Sequence, residues 1–148
     1  MSHTTSIGNV SITDIDALRT AVAKLKEQGI NCDLVENEKP RMYYNNQHGK
    51  CDYVLKLHDC PYDIGFDKQE NGSYVPVFDE WAGHVQKQLG CNCPTDNAED
   101  RSKAHIGKLM QGYATEAAIN AATAQGYYVE GTETDEQGNI QLIIGGVA

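Results

Sequence analysis

The chain has 148 residues, 40% of them hydrophobic and 22% charged, which is enough for one domain with a sizeable core and too apolar for a disordered chain. Its formal net charge of −9 argues against nonspecific binding to nucleic acid, because phosphates are neutralised by clustered Lys and Arg, whereas Arg19, Arg41 and Arg101 are dispersed. No apolar run approaches the roughly 20 residues of a membrane helix.

The beginning, "MSHTTSIGNV", lacks the basic and apolar regions of a signal peptide. Five cysteines, an odd number, suit a reducing compartment better than a disulfide framework, so a cytoplasmic protein is expected. The stretch Thr5–Ile12 has strand character. Thr13 then offers an N-cap, with Asp16 three residues on as an approximate capping box. Ile15, Leu18, Val22 and Leu25 recur at spacings of three and four, which predicts a helix over Thr13–Gln28 closed by Gly29. "INCDLVE" returns as a strand, so the opening reads β-α-β.

Residues 37–50 form a polar connection with strand-like Met42–Tyr44 inside it. "CDYVLKLHD" alternates as the next strand and is broken at Cys60-Pro61. Ile64 and Phe66 share one face of the strand that follows. Asn71-Gly72 then signals a hairpin of type I′, whose two central residues need positive φ. The return strand Tyr74–Phe78 contains Pro76, which has no backbone donor, so this strand is expected at an edge or with Pro76 facing away from the ladder. "DEWAGHVQKQLG" predicts a short helix capped by Asp79. A variable acidic loop at about 90–103 precedes a long helix, Ser102–Gln125, with Ile106, Leu109, Met110, Tyr113, Ala117 and Ala121 as its buried stripe. "YYVEGTET" and "NIQLIIG" close the chain as a hairpin. The sum is one α+β domain over residues 1–148: a mostly antiparallel sheet with helices on one face, an elaborated ferredoxin-like arrangement.

Cys91 and Cys93 are the sharpest metal candidates, with His84 as a third donor and His48, His58 and Cys60 as further ones, and zinc as the ion. Their spacing departs from the two to four intervening residues of zinc fingers and ribbons, so two plain thiols in a loop are the simpler reading. Cys32 reads as a small buried hydrophobe. Cys60 beside His58 is the one local nucleophile–base pairing, and nothing in the sequence supplies a third, orienting group. Asp63, Asp67, Asp79 and Glu80 flank the central hairpin, where capping and turn formation explain them more simply than acid–base chemistry. Trp81 is expected to be a buried packing anchor beside Asp79. No phosphate loop, dinucleotide fingerprint or hydrolase elbow is present.

"MSH" before a β-α-β unit, then "YDIGFDKQENGSYVPVFDEW", then "QGYATEAAINAATAQGYYVEGTETDEQGNIQLII" resembles the hypothetical chloroplast reading frame thirty-five family of cyanobacteria and plastids. The resemblance covers roughly residues 1–83 and 105–144, and its marks are Asp63-Ile64-Gly65-Phe66, Asp79 with Trp81, Gln111 with Tyr113, and Gly138-Asn139-Ile140. It implies no catalytic residues. It implies an accessory protein, with an AAA-type ATPase as partner, in the cytoplasm, the plastid stroma or, for a virus-encoded relative, the host cytoplasm. The segment Cys91–Asp100 and the tail "GGVA" depart from the family pattern. The expected function is therefore noncatalytic binding to a macromolecular partner; a metal or redox module at Cys91 and Cys93, and an enzyme of unknown reaction, are the alternatives.

Overall fold

The computed structural model describes residues 4–6, 11–43, 48–90, 106–134 and 140–147. A short strand β1 (Thr4–Ser6), helix α1 (Ile15–Glu27) and strand β2 (Cys32–Glu38) open the chain. Strands β3 (Cys51–Leu57), β4 (Ile64–Lys68) and β5 (Tyr74–Asp79) follow as a meander. A 3-10 turn (Trp81–Gly83) leads into α2 (His84–Leu89). Helix α3 (Gly107–Ala124) and strands β6 (Tyr127–Thr134) and β7 (Ile140–Val147) come last. Among the described residues, no helix is long and apolar enough to cross a membrane.

The first five strands form one antiparallel sheet in the order β1-β5-β4-β3-β2, and β6 with β7 forms a separate two-stranded sheet. The helices lie on one face of the larger sheet, as expected of the α+β class. Helix α1 buries Ala17, Leu18, Ala21, Val22 and Leu25, the inward stripe of its 3.6-residue period. These pack with Leu55, Ile64, Phe66 and Phe78 from the sheet, and with Leu89 of α2 and Leu109 of α3. The register explains the shared face: Leu34 opposes Leu55, and Leu55 opposes Ile64.

Ferredoxin-like order needs qualification. β1 and β2 do run parallel across α1, but three strands lie between them, and the strands after α3 pair with each other rather than entering the sheet. Sequential pairing explains this: β2, β3, β4 and β5 each pair with the next strand in the chain, with short links at β3–β4 and β4–β5, which leaves the N-terminal strand the free edge of β5.

Local details also correct the sequence reading. Asp14, not Thr13, caps α1, its Oδ1 accepting from Ala17 N at 3.0 Å. Thr13 N and Asp14 N instead donate to the Tyr113 hydroxyl at 3.0 and 3.2 Å, which ties the start of α1 to α3. Of the expected first strand, Thr5 and Ser6 belong to β1 and Ile12 forms an isolated bridge to Tyr74, while residues 7–10 lie outside the described residues. The β4–β5 loop is not type I′. Gly72 has φ +86 while Asn71 has no positive φ; Gly72 N donates to Gln69 O and Gln69 N to Ser73 O, so Glu70, Asn71 and Gly72 form the tip of the link, with glycine alone left-handed. Asn71 Oδ1 accepts from Ser73 N and Ser73 Oγ, which stabilises the non-type-I′ form.

Strand β5 is internal rather than an edge, since it pairs with both β1 and β4. The β1 register covers only Val77 to Asp79, and the next link on that side is Ile12 with Tyr74. Among the described residues Pro76 has no partner on that side, so its missing N–H breaks no ladder bond among them. No strand forms at Met42–Tyr43 among the described residues. The start of the long helix expected at Ser102 lies outside the described residues; within them α3 begins at Gly107 and buries Leu109, Tyr113 and Glu116, while Ala121 is exposed.

Candidate functional site

The sheet face opposite the helices carries the chemistry. Val54, Gly65 and Val77 form one row across it, with Val75 beside them, all buried. The segment Pro40–Tyr43 crosses this face as a strap. A Cβ on Gly65 would lie 2.9 Å from both Pro40 Cγ and Cys51 Sγ, so only glycine admits the strap this close.

Two buried carboxylates fasten the strap. Asp63, with no solvent exposure, accepts from Arg41 N (2.9 Å), Arg41 Nη2 (2.8 Å), Arg41 Nε (3.0 Å), Leu57 N (3.3 Å) and Lys56 Nζ (3.4 Å). Burial disfavours its charge, but the hydrogen bonds and charge of Arg41 outweigh that and hold the carboxyl below the usual carboxylate range. Arg41 Nη2 also donates to Leu57 O and Cys60 O. Asp79, equally buried, accepts from Tyr43 N at 3.0 Å and from Trp81 N at 2.8 Å. The N-cap role expected of Asp79 is not observed: Glu80 precedes the 3-10 turn and Gly83 precedes α2, neither with a side-chain cap bond, and Asp79 holds Trp81 N and the strap instead.

Beside Gly65, His48, Cys51 and Asp67 converge, each offering one donor atom within 4.8 Å of the others. His48 Nε2 lies 2.9 Å from the Asp67 carboxylate, and His48 Nδ1 lies 2.9 Å from Gly49 O. The Cys51 thiol donates to Asp67 Oδ1 at 3.5 Å and sits 3.7 Å from His48 Nδ1. This order of groups resembles a nucleophilic cysteine triad, but burial and the Asp67 charge push the thiol up to about 12. A thiol so stabilised in its protonated form is no nucleophile at neutral pH. For His48 burial opposes the cation, yet Gly49 O and Asp67 prevail and raise its pKa.

The residues singled out from the sequence are distributed differently. Cys91 and Cys93 lie outside the described residues. His84 begins α2 and meets Tyr62 edge-on, 5.6 Å between ring centres. His58 pairs with Asp33 at 2.8 Å rather than with Cys60, which is buried. Cys32 is a buried thiol, as expected. Trp81 is not a buried anchor: it is 37% exposed and packs edge-on against Tyr43, also exposed. Ala82 and Gly83 are both left-handed, which breaks the expected helix between the 3-10 turn and α2. Of the sequence's candidate donors only His48 enters the cluster. Cys51 and Asp67 were legible as strand residues, and nothing short of the β3–β4 pairing brings them together.

Two other surfaces stand out. A cleft of ≈ 240 Å³ between α1 and α3 is lined by Lys24, Lys108, Gln111 and Glu116, where Lys24 pairs with the buried Glu116. The β6–β7 hairpin packs on α3 and exposes Tyr127 (38%), Tyr128 (53%) and Ile143 (40%). Tyr128 lies over Gly145, where an added Cβ would sit 2.1 Å from Cζ. The ladder slips between Tyr127 and Val129, opposite this glycine.

Fold and site together define a small α+β protein whose antiparallel meander is strapped on one face and helix-covered on the other. The chain belongs to the family described as Protein of unknown function (DUF1257), whose model matches residues 24–143. No curated protein and no solved structure matches the chain.

Proposed function

We propose that the chain is a noncatalytic binding protein that acts through a protein partner, using the β6–β7 hairpin as its contact surface. The carrying observation is that Tyr127, Tyr128 and Ile143, three large apolar side chains, are exposed on a two-stranded sheet outside the main sheet. Isolated two-stranded hairpins are marginal without packing, and this one is supported by α3. Aromatic residues presented on a supported scaffold are typical contact anchors. The net charge of −9 favours a partner with a basic surface and an association rate that falls with salt.

The resemblance to the chloroplast reading frame thirty-five family suggests a cyanobacterial or plastid setting, a cytoplasmic or stromal location and an AAA-type ATPase as the first partner to test. The experiment is direct binding of the purified chain to that ATPase at low and high salt, beside a Tyr128→Ser/Ile143→Ser variant. Binding that weakens with salt and drops at least tenfold in the variant is expected. Unchanged binding by the variant refutes the hairpin as the surface. Turnover of a defined small molecule without any partner refutes the noncatalytic reading.

A further inference from the structure

We propose that His48, Cys51 and Asp67 form a binding site for a zinc-like divalent metal ion, with a fourth position open to water. The three ligand types are those zinc takes in proteins, and three protein ligands plus water is the pattern of open zinc sites. A thiolate and a carboxylate supply two negative charges to a neutral imidazole, which balances a doubly charged cation. Zinc bonds of about 2.0–2.3 Å place neighbouring ligand atoms roughly 3.4–3.6 Å apart in a tetrahedron.

The Cys51 Sγ to Asp67 Oδ1 separation of 3.5 Å already fits that spacing. The His48 Nε2 to Asp67 separation of 2.9 Å needs to open by about 0.5 Å, a small side-chain rotation. His48 Nδ1 faces Gly49 O at 2.9 Å, the backbone partner that commonly orients a metal-bound imidazole and leaves Nε2 for the ion. The surroundings fix the thiol and leave the other side open. Cys51 is 4% exposed and wedged against Gly65, whereas the His48 and Asp67 side chains are 22% and 35% exposed. The ion would tie His48 and Cys51, at the start of β3, to Asp67 in β4, 19 and 16 positions away.

The test is zinc titration of the metal-free full chain, with metal content per chain and thermal stability as readouts. Four proteins are compared: wild type, Cys51→Ser, His48→Gln, and a Cys91→Ser/Cys93→Ser double variant. Cobalt substitution of the wild type reports thiolate ligation as a sulfur-to-metal absorption band. The expected result is one zinc per chain in the wild type and in the double variant, each with a raised melting temperature. Losing a partner outside the ligand shell weakens metal binding about 10–100-fold, so losing a ligand is expected to exceed that upper figure. His48→Gln, at a partly exposed position, reports on the site even if Cys51→Ser folds poorly. Retained stoichiometric binding in His48→Gln, dependence on Cys91 and Cys93 alone, or no zinc bound by the wild type overturns the proposal.

Discussion

Asp63→Asn tests how the strap is held. The change keeps volume and one acceptor but removes a charge that has no solvent exposure and five hydrogen-bond donors aimed at it. Removing one partner of a buried ion pair costs about 3–5 kcal/mol. Here the Arg41 side chain is 41% exposed, so water compensates part of the loss, and its bonds to Leu57 O and Cys60 O survive. The expected cost is therefore lower, about 2–3 kcal/mol. For a domain of this size that lowers the melting temperature by roughly 5–10 °C. The same residue sets a pH signature. Its folded carboxyl titrates below the ordinary value of 3.8. Its contribution is thus complete above that value and is lost as pH falls through the lowered folded value. Wild type and Asp63→Asn should differ at neutral pH and converge in acid. Urea denaturation at several pH values measures both. An unchanged midpoint at neutral pH, with an unchanged slope, would show that the buried pair does not fasten the strap.

Three further substitutions test neighbouring claims. Gly65→Ala puts a Cβ 2.9 Å from Pro40 Cγ and Cys51 Sγ, an overpacking expected to cost about 1–3 kcal/mol by denaturant titration. Tyr113→Phe removes the acceptor for Thr13 N and Asp14 N, and should cost about 1–2 kcal/mol, with faster amide exchange at those two residues. Gly145→Ala should drive the Tyr128 ring off the hairpin, seen by NMR as changed ring-current shifts around residue 145; unchanged shifts would contradict the stacking.

The helices were legible because their signals are local. The α1 stripe of Leu18, Val22 and Leu25 needs only a 3.6-residue period, and it is buried as the spacing predicts. The β6–β7 hairpin was likewise readable from two apolar runs around a polar turn. What failed depends on the rest of the chain. Pro76 suggested an edge because sequence does not reveal that β1 joins β5 at Val77–Asp79, beyond the proline. Trp81 suggested a core anchor because size predicts burial on average, while the left-handed Ala82 and Gly83 break the helix expected to carry it. The candidate site was least legible of all. His48, Cys51 and Asp67 meet through the pairing of β3 with β4, and no short motif marks a contact made across 16 or 19 positions.

The strap has a consequence for how the protein fails. Behind Pro40–Tyr43 lies the row Val54, Gly65 and Val77, with Val75 beside it, an apolar strip of finished sheet. The strap is tied to it by Asp63 and Asp79 rather than by a ladder of its own. Its release would leave every strand paired and every helix seated, so it is an opening well short of global unfolding. A molecule in that condition would look native to circular dichroism while presenting a flat adhesive strip to its neighbours. Acid strong enough to discharge Asp63 should therefore promote self-association before it melts the fold.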